Sequence, residues 1–496
     1  MNGTILGKIG NSLLMQNNNT KPNRNIIVFG GPGSYKTQSV VITNTLAETE
    51  NSIVTIDPKA EVFENTVAIK IRQGYTPYVI NFDDMRHSNR YNPLDYIARD
   101  IDATTVANKI VESSNKDAKK DIWYYSQRAL LKALILYVLH ESMPEDRNLR
   151  GVTYFLQAFN PEKNKEGKSE LDQQFERLDI GHPARRAYDL GFKKATGELQ
   201  SSIIVSLLTT ISDFVDEEVG HFTGFSDFDL KDIGRRKIIL YIIIPPMNNA
   251  FESLTNLFIS QLFQQLYNLG AENNARLPNS VDFILDEFVN LGKFPNYEEF
   301  LATCRGYGIG VTTVCQSLTQ LQDKYGRDKA ESILGNNAIK MCLNAANKTT
   351  ATYFSGLLGK ATVKVETGSQ SVSRSERESR STSDSYSYIS RDLMTADEIS
   401  KMAPEDAIII FSNKNPVKVK KAFQFEIFPG VCEKNTVSHK EYTGSTDESQ
   451  VRKQKAKESA FMNKSEKRIS QTQSDSDLLA ELDQDEYGMI FVDDTN

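Results

Sequence analysis

The chain has 496 residues, with 58 Lys and Arg against 65 Asp and Glu, a net charge of −7. Its longest unbroken apolar runs, Ala133 to Leu139 and Ile238 to Ile244, are seven residues each, against ~20 for a membrane-spanning helix, and no apolar segment follows the first residues, which argues against a secretory signal. Four cysteines without paired spacing and five scattered histidines argue against a disulfide scaffold and a zinc centre and fit a reducing cytoplasm; the acidic balance argues against a basic coat protein but leaves room for a local basic channel.

Residues 1–23 are rich in Asn and Gly and are expected to be a short lead-in. From Asn25 the pattern becomes strand, turn, helix, strand. Ile26-Ile27-Val28-Phe29 predicts a buried strand, Lys36 to Glu48 a helix, and Ile53 to Ile56 and Tyr78 to Ile80 two further strands. Apolar strands alternating with helices argue for a parallel sheet covered on both faces. Between about 100 and 225 the signals are helical only. Asp121 to His140 places Trp123, Leu130, Leu134 and Val138 on one helix face, and the charged stretch Asn160 to Glu176 is expected to be an exposed helix or loop. Strands return at Lys237 to Pro245 and Val281 to Leu285, around a helix from Phe251 to Leu269. Gly310 to Cys315, Ala338 to Leu343 and Ala407 to Phe411 continue the alternation.

Two segments differ in composition. Residues 369–390 hold ten serines in 22 positions, a pattern that suits a flexible loop or an exposed hairpin equally well. Residues 431–496 carry 9 Lys and Arg against 14 Asp and Glu. This predicts a disordered tail, ending in an acidic and apolar docking element over Asp475 to Asp494. The resulting division is a lead-in (1–23), a sheet domain (24–99 and 226–430), an all-α insertion (100–225) and a polar acidic tail (431–496).

The chemistry starts at Gly30-Gly31-Pro32-Gly33-Ser34-Tyr35-Lys36-Thr37, after a strand and at the start of a helix. Backbone amides and a helix N-terminus there would cradle phosphates, with Lys36 on the β/γ oxygens and the Thr37 hydroxyl on Mg²⁺. Tyr35 stands where such loops carry glycine; a left-handed backbone there would cost tyrosine about 1–2 kcal/mol. Val281-Asp282-Phe283-Ile284-Leu285-Asp286-Glu287 is an apolar strand ending in two carboxylates. Asp286 would hold the Mg²⁺ shell and Glu287 would polarise water for attack on the γ-phosphate. Together with the loop, this pair points to a nucleoside triphosphatase. Gln316 ends a β-branched strand and Arg305 follows the helix after Glu287. By residue type alone they suit a helix-capping glutamine and a surface arginine.

These segments, in order, resemble the type IV coupling proteins of the TraG/TraD type, within the FtsK/HerA-like ring ATPases. The matching pieces are the phosphate loop, Asp57-Pro58-Lys59-Ala60-Glu61, Tyr91-Asn92-Pro93-Leu94 and the Trp123 to Tyr137 helix. Next come Leu285-Asp286-Glu287-Phe288 running on to Pro295, Arg305-Gly306-Tyr307-Gly308, Gln316-Ser317, Gly335-Asn336 and Arg391-Asp392-Leu393-Met394 through Ile399. The resemblance implies a RecA-like α/β nucleotide-binding domain with an inserted all-α domain that recognises substrate complexes, assembled as a hexamer. It implies ATP and Mg²⁺ as cofactors, Lys36, Glu287, Gln316 and Arg305 as catalytic residues, and Arg305 acting in a neighbour's site. It further implies DNA, relaxase and other relaxosome proteins, and the secretion-channel ATPase as partners. Most members carry N-terminal membrane helices, and this chain shows none. The expectation is a cytoplasmic protein held at the membrane's cytoplasmic face by a membrane-anchored recruiting protein. An alternative from the same residues is a nucleotide-gated adaptor that recruits relaxase with little turnover, motivated by Tyr35 and the acidic tail.

Overall fold

A computed structural model of the chain describes residues 3–19, 23–114, 121–159, 167–195, 198–244, 251–291, 294, 296–345, 347–373, 379–442 and 489–491. Fourteen strands are present among them: β1 (Gly3–Ile9), β2 (Ser12–Asn17), β3 (Ile26–Phe29), β4 (Ser52–Ile56), β5 (Thr76–Asn81), β6 (Ile238–Ile243), β7 (Val281–Leu285), β8 (Ile309–Cys315), β9 (Ile339–Cys342), β10 (Lys360–Ser373), β11 (Ser379–Asp392), β12 (Asp406–Phe411), β13 (Lys414–Lys420) and β14 (Met489–Phe491). Twelve of them form one sheet, in the order β14-β2-β1-β13-β12-β9-β3-β8-β7-β4-β6-β5.

From β9 to β5 every neighbouring pair is parallel. β12, β13, β1 and β2 extend this part as antiparallel strands. The parallel strands are apolar at successive positions because both faces are covered. Ile27 and Phe29 enter one core with Val54, Ile56 and Leu285, while Ile26 and Val28 enter a second with Ile53 and Ile284. The first core continues into the helices between β5 and β6, through Leu130, Leu134 and Tyr188. The described residues there form helices and no strand, among them Asp102–Ser114, Ile122–Glu141, Pro183–Gly191 and Glu198–Ile211. Asp121 starts the longest of these four by accepting hydrogen bonds from the backbone N–H of Trp123 and Tyr124.

Several expectations are corrected. Residues 3–17 are a hairpin inside the sheet, not a lead-in. Their apolar positions, Ile5, Leu6, Leu13, Leu14 and Met15, are buried. Gly7 lets β1 approach β13: a Cβ there would lie 2.6 Å from Val419 Cγ2 and 2.8 Å from the Lys420 carbonyl oxygen. Trp123 is partly exposed in the first helical turn, whereas Leu130, Leu134 and Val138 are buried. The charged stretch ends in a packed helix, Glu170–Glu176, whose Phe175 stacks on Tyr188 at 4.2 Å. The serine-rich segment needs no correction: it takes the second of its two expected forms, with β10 and β11 paired antiparallel as a hairpin. After Gly430, the helix Val431–Asn435 and the turn His439–Glu441 belong to the folded body, with the Val437 N–H donating to the Glu64 carbonyl. The rest of the expected tail lies outside the described residues except β14, which pairs parallel with β2.

The hairpin is tied to the helical segment that follows the phosphate loop by one side chain. Asn44 Oδ1 accepts from Ile5 N–H at 2.7 Å, and Nδ2 donates to the Ile5 and Val40 carbonyls at 3.1 and 2.9 Å. Asn44→Ala leaves these buried groups unpaired and is expected to lower stability by about 1–3 kcal/mol, read from denaturant unfolding. An unchanged midpoint would show that the hairpin does not depend on this tie.

Candidate functional site

Strand register brings the predicted residues together. Phe29 pairs with Cys315, Ile56 with Leu285, and Leu285 with Thr313. The phosphate loop after β3, Asp57 after β4, Asp286 and Glu287 after β7, and Gln316 after β8 therefore share the carboxyl edge of the parallel strands, where α/β sheets bind ligands.

The loop is held from within. Gly30 N–H donates to the Cys315 carbonyl at 3.1 Å, and a Cβ on Gly30 would lie 2.4 Å from Ser34 Oγ. Ser34 Oγ donates to the Gly31 carbonyl at 2.6 Å and Lys36 Nζ to the same oxygen at 3.1 Å. Gly33 and Tyr35 both have positive φ, 72° and 61°. Tyr35 thus holds the conformation that glycine usually fills. Its carbonyl is fixed by Ser39, whose N–H donates at 2.9 Å and whose hydroxyl donates at 2.7 Å. Its ring turns onto Phe423, edge to face, with centroids 5.5 Å apart. Pro32 lies in the turn between these glycines.

The acidic pair faces the loop. Thr37 Oγ1 donates to Asp286 Oδ2 at 2.7 Å, and Glu287 N–H donates to Asp286 Oδ1 at 2.9 Å. Glu287 has φ 46°, so the chain turns sharply straight after the strand. An aromatic cluster secures that turn. Phe288 packs on Tyr297 at 4.4 Å, Tyr297 Oη lies 2.5 Å from Thr313 Oγ1, and Phe294 N–H donates to Tyr325 Oη at 3.1 Å. Gly292, Lys293 and Pro295 lie outside the described residues.

Electrostatics follow from burial. Lys36 is pulled below the usual lysine range by desolvation, opposed by Asp286 and Glu287. The Asp286 carboxyl is pushed up by burial, opposed by the Thr37 hydroxyl and the Glu287 amide. Burial raises Asp57 to about 7, against backbone donors at the start of the helix Glu61–Arg72, including Phe63 N–H at 2.8 Å. Buried carboxylates beside a hydroxyl and a phosphate-type loop suit a hard cation with oxygen ligands. Thr37 and Asp286 are the residues placed to hold one.

Gln316 is half-buried, beside the loop in register, and its Oε1 accepts from Gln320 Nε2 at 3.2 Å. Arg305 is not in this constellation. It is exposed in the turn Cys304–Tyr307, before β8, and the seven residues of that strand separate it from the loop edge. Sequence reasoning missed Lys421, which follows β13. Its buried Nζ donates to the Ser34 carbonyl at 3.0 Å and the Pro404 carbonyl at 2.5 Å, bracing the loop from behind. Lys421 stands in a run of alternating lysines, Lys414, Lys418 and Lys420, so nothing local singles it out. A cleft of about 800 Å³ between the helices Asp102–Ser114 and Glu252–Glu272 contains none of these residues.

Residues 4–468 match the family model described as type IV secretory system conjugative DNA transfer. The chain is 25% identical over 398 residues to protein VirD4 of Rhizobium radiobacter, covering 77% of this chain and 54% of that protein. It is 28% identical over 418 residues to the conjugal transfer protein TraG of the same organism, covering 80% and 62%. The chain thus spans between half and two thirds of these relatives' lengths. Among solved structures, its fold is similar to that of the plasmid coupling protein TrwB in complex with a non-hydrolysable ATP analogue. The TM-score is 0.57 at 18% identity, covering 81% of this chain and 85% of that one.

Asp57 sets a pH dependence. Its folded pKa of about 7 exceeds the unfolded 3.8, so the folded chain holds the extra proton between those values. This contribution to stability is complete below about pH 4 and is lost as pH rises through 7. Relative to Asp57→Asn, the wild type is expected to lose up to about 4 kcal/mol over that window, measured as urea midpoints. Parallel pH profiles for the two proteins would refute the assignment.

Proposed function

Since the chain belongs to the type IV secretory system conjugative DNA transfer family, we propose that it is a conjugative coupling ATPase. It links relaxase-bound DNA to a type IV secretion channel and drives transfer by ATP hydrolysis. The observation that carries this reading is the 2.7 Å bond from Thr37 to Asp286, which joins the phosphate loop to the acidic pair. In this role the backbone of Gly30, Gly31, Pro32, Gly33, Ser34 and Tyr35 cradles the phosphates, and Lys36 neutralises the β/γ oxygens. Mg²⁺, when bound, neutralises charge on the phosphate oxygens; Thr37 and Asp286 hold it. Glu287 orients the attacking water and accepts its proton. Gln316 contacts the γ-phosphate or that water from the adjacent strand end. Arg305 reaches the site of a neighbouring subunit, which calls for a closed ring, a homohexamer in the active form.

Residues 100–225 receive the relaxase complex. DNA, single- or double-stranded, is gripped through phosphate neutralisation with little sequence reading. No described helix is long and apolar enough to cross a membrane. A membrane-anchored recruiting protein and the channel ATPase complete the partners, and the site of action is the cytoplasmic face of the membrane. The likeness to a coupling protein bound to an ATP analogue supports the cofactor assignment. The adaptor reading is motivated by Tyr35 and the acidic tail; the ring of Tyr35 is turned onto Phe423, and the acidic stretch lies outside the described residues except for 489–491.

ATP turnover by the full chain, with and without DNA, tests the proposal. Lys36→Ala and Glu287→Gln are each expected to lower turnover by about 10²–10⁴-fold, with Glu287→Gln retaining ATP binding. Unchanged turnover in both variants would sink the site assignment. Tight ATP binding by the wild type without turnover under any DNA condition would favour the adaptor.

A further inference from the structure

Beside the phosphate loop the chain exposes an aromatic cluster drawn from two distant segments. Tyr35 is 49% exposed and Phe425 47%, while Phe423 is 8% exposed. The Phe423 and Phe425 rings stack at 5.1 Å and 10°, and Tyr35 meets Phe423 edge to face. The segment after β13 is fixed to the loop region by three hydrogen bonds. Lys421 Nζ donates to the Ser34 carbonyl, Thr43 Oγ1 to the Ala422 carbonyl at 2.9 Å, and Gln424 Nε2 to Gln38 Oε1 at 3.1 Å. Gln38 directly follows Thr37, so Phe423 and Phe425 flank a residue bonded to the start of the loop's own helix.

Burial accounts for Phe423 but not for the exposed halves of Tyr35 and Phe425. Half-exposed aromatics gain little from burial, and Tyr35 keeps a left-handed backbone that glycine would adopt without strain. Exposed apolar surface next to a binding loop marks ligand contact. The ligand that such a loop selects is a nucleotide, and the flat, apolar part left beyond its phosphates is the base.

Resting on the nucleotide reading above, we propose that Tyr35 and Phe425, with Phe423 behind them, form the stacking surface for the nucleobase of the nucleotide whose phosphates occupy the loop. Stacking needs only a π-face, so these rings grip the base while the Gln38–Gln424 pair fixes the segment that carries them. The tyrosine in the loop is then a base contact in place of a glycine.

Calorimetric titration of the full chain with ATP and with inorganic tripolyphosphate, both in Mg²⁺, separates base from phosphate binding. Phe425→Ala is expected to weaken ATP about 5- to 100-fold and leave tripolyphosphate unchanged, and Phe425→Trp to restore ATP. The inference is overturned if Phe425→Ala binds ATP like the wild type, which would assign the cluster to a protein contact. It is equally overturned if both ligands weaken alike, or if the wild type binds tripolyphosphate as tightly as ATP. A wild type that binds neither ligand overturns the nucleotide reading itself, and this inference with it.

Discussion

Level register across β4, β7, β8 and β3 is the constraint on which the site depends. Each parallel strand has one side-chain position at which it leaves the sheet, and pairing of Ile56 with Leu285, Leu285 with Thr313 and Phe29 with Cys315 sets those positions at one edge. A slip of one residue in any pair would turn its apolar side chains to the wrong core. The two cores on opposite faces, one containing Phe29 and the other Val28, oppose such a slip. Burial on both faces thus fixes Asp286 within hydrogen-bond reach of Thr37.

The same edge concentrates backbone strain. Six non-glycine residues among those described have positive φ, and Tyr35, Ala60 and Glu287 are three of them. Each lies two to six residues beyond the end of β3, β4 or β7. Such conformations cost of order 1–3 kcal/mol each and persist where the surroundings over-determine them. The surroundings here are specific. Ser39 grips the Tyr35 carbonyl, Asp57 accepts Phe63 N–H beyond Ala60, and the aromatic cluster around Phe288 holds the turn at Glu287. The sheet is rigid enough to hold its binding loops in shapes they would not adopt alone.

The sequence was legible where chemistry or burial is local. Continuous apolar runs such as Ile26 to Phe29 and Ile238 to Ile243 announce parallel strands, because covering both faces leaves no polar alternation. The phosphate loop and the Asp286–Glu287 pair are contiguous motifs. β1 and β2 were hidden by their Asn- and Gly-rich surroundings, although Leu13 to Met15 is apolar. β13 was hidden by alternating lysines, whose outward face masks an inward Val419. Leu171 and Phe175 were masked by charged neighbours. Lys421, Phe423 and Phe425 lie nearly four hundred residues from the loop they adjoin, and only the sheet order joins them to it. No spacing rule spans that distance.

The N-terminal hairpin has a consequence for how the chain is made. β1 is paired on one side by β2, but its other edge closes only on β13, with Lys8 opposite Lys420. Ribosomes add roughly 5–20 residues per second, so about 20–80 s separate the synthesis of these partners. During that interval β1 is an open edge on a nascent chain, and such edges invite pairing with other chains. Gly3 and Gly7 make this strand short of side chains and weakly committed by itself. Its lysine at position 8 places a charge on the waiting edge, a common guard against premature pairing. The β1–β13 seam therefore cannot close until the strands that carry the phosphate loop and the acidic pair have all been synthesised.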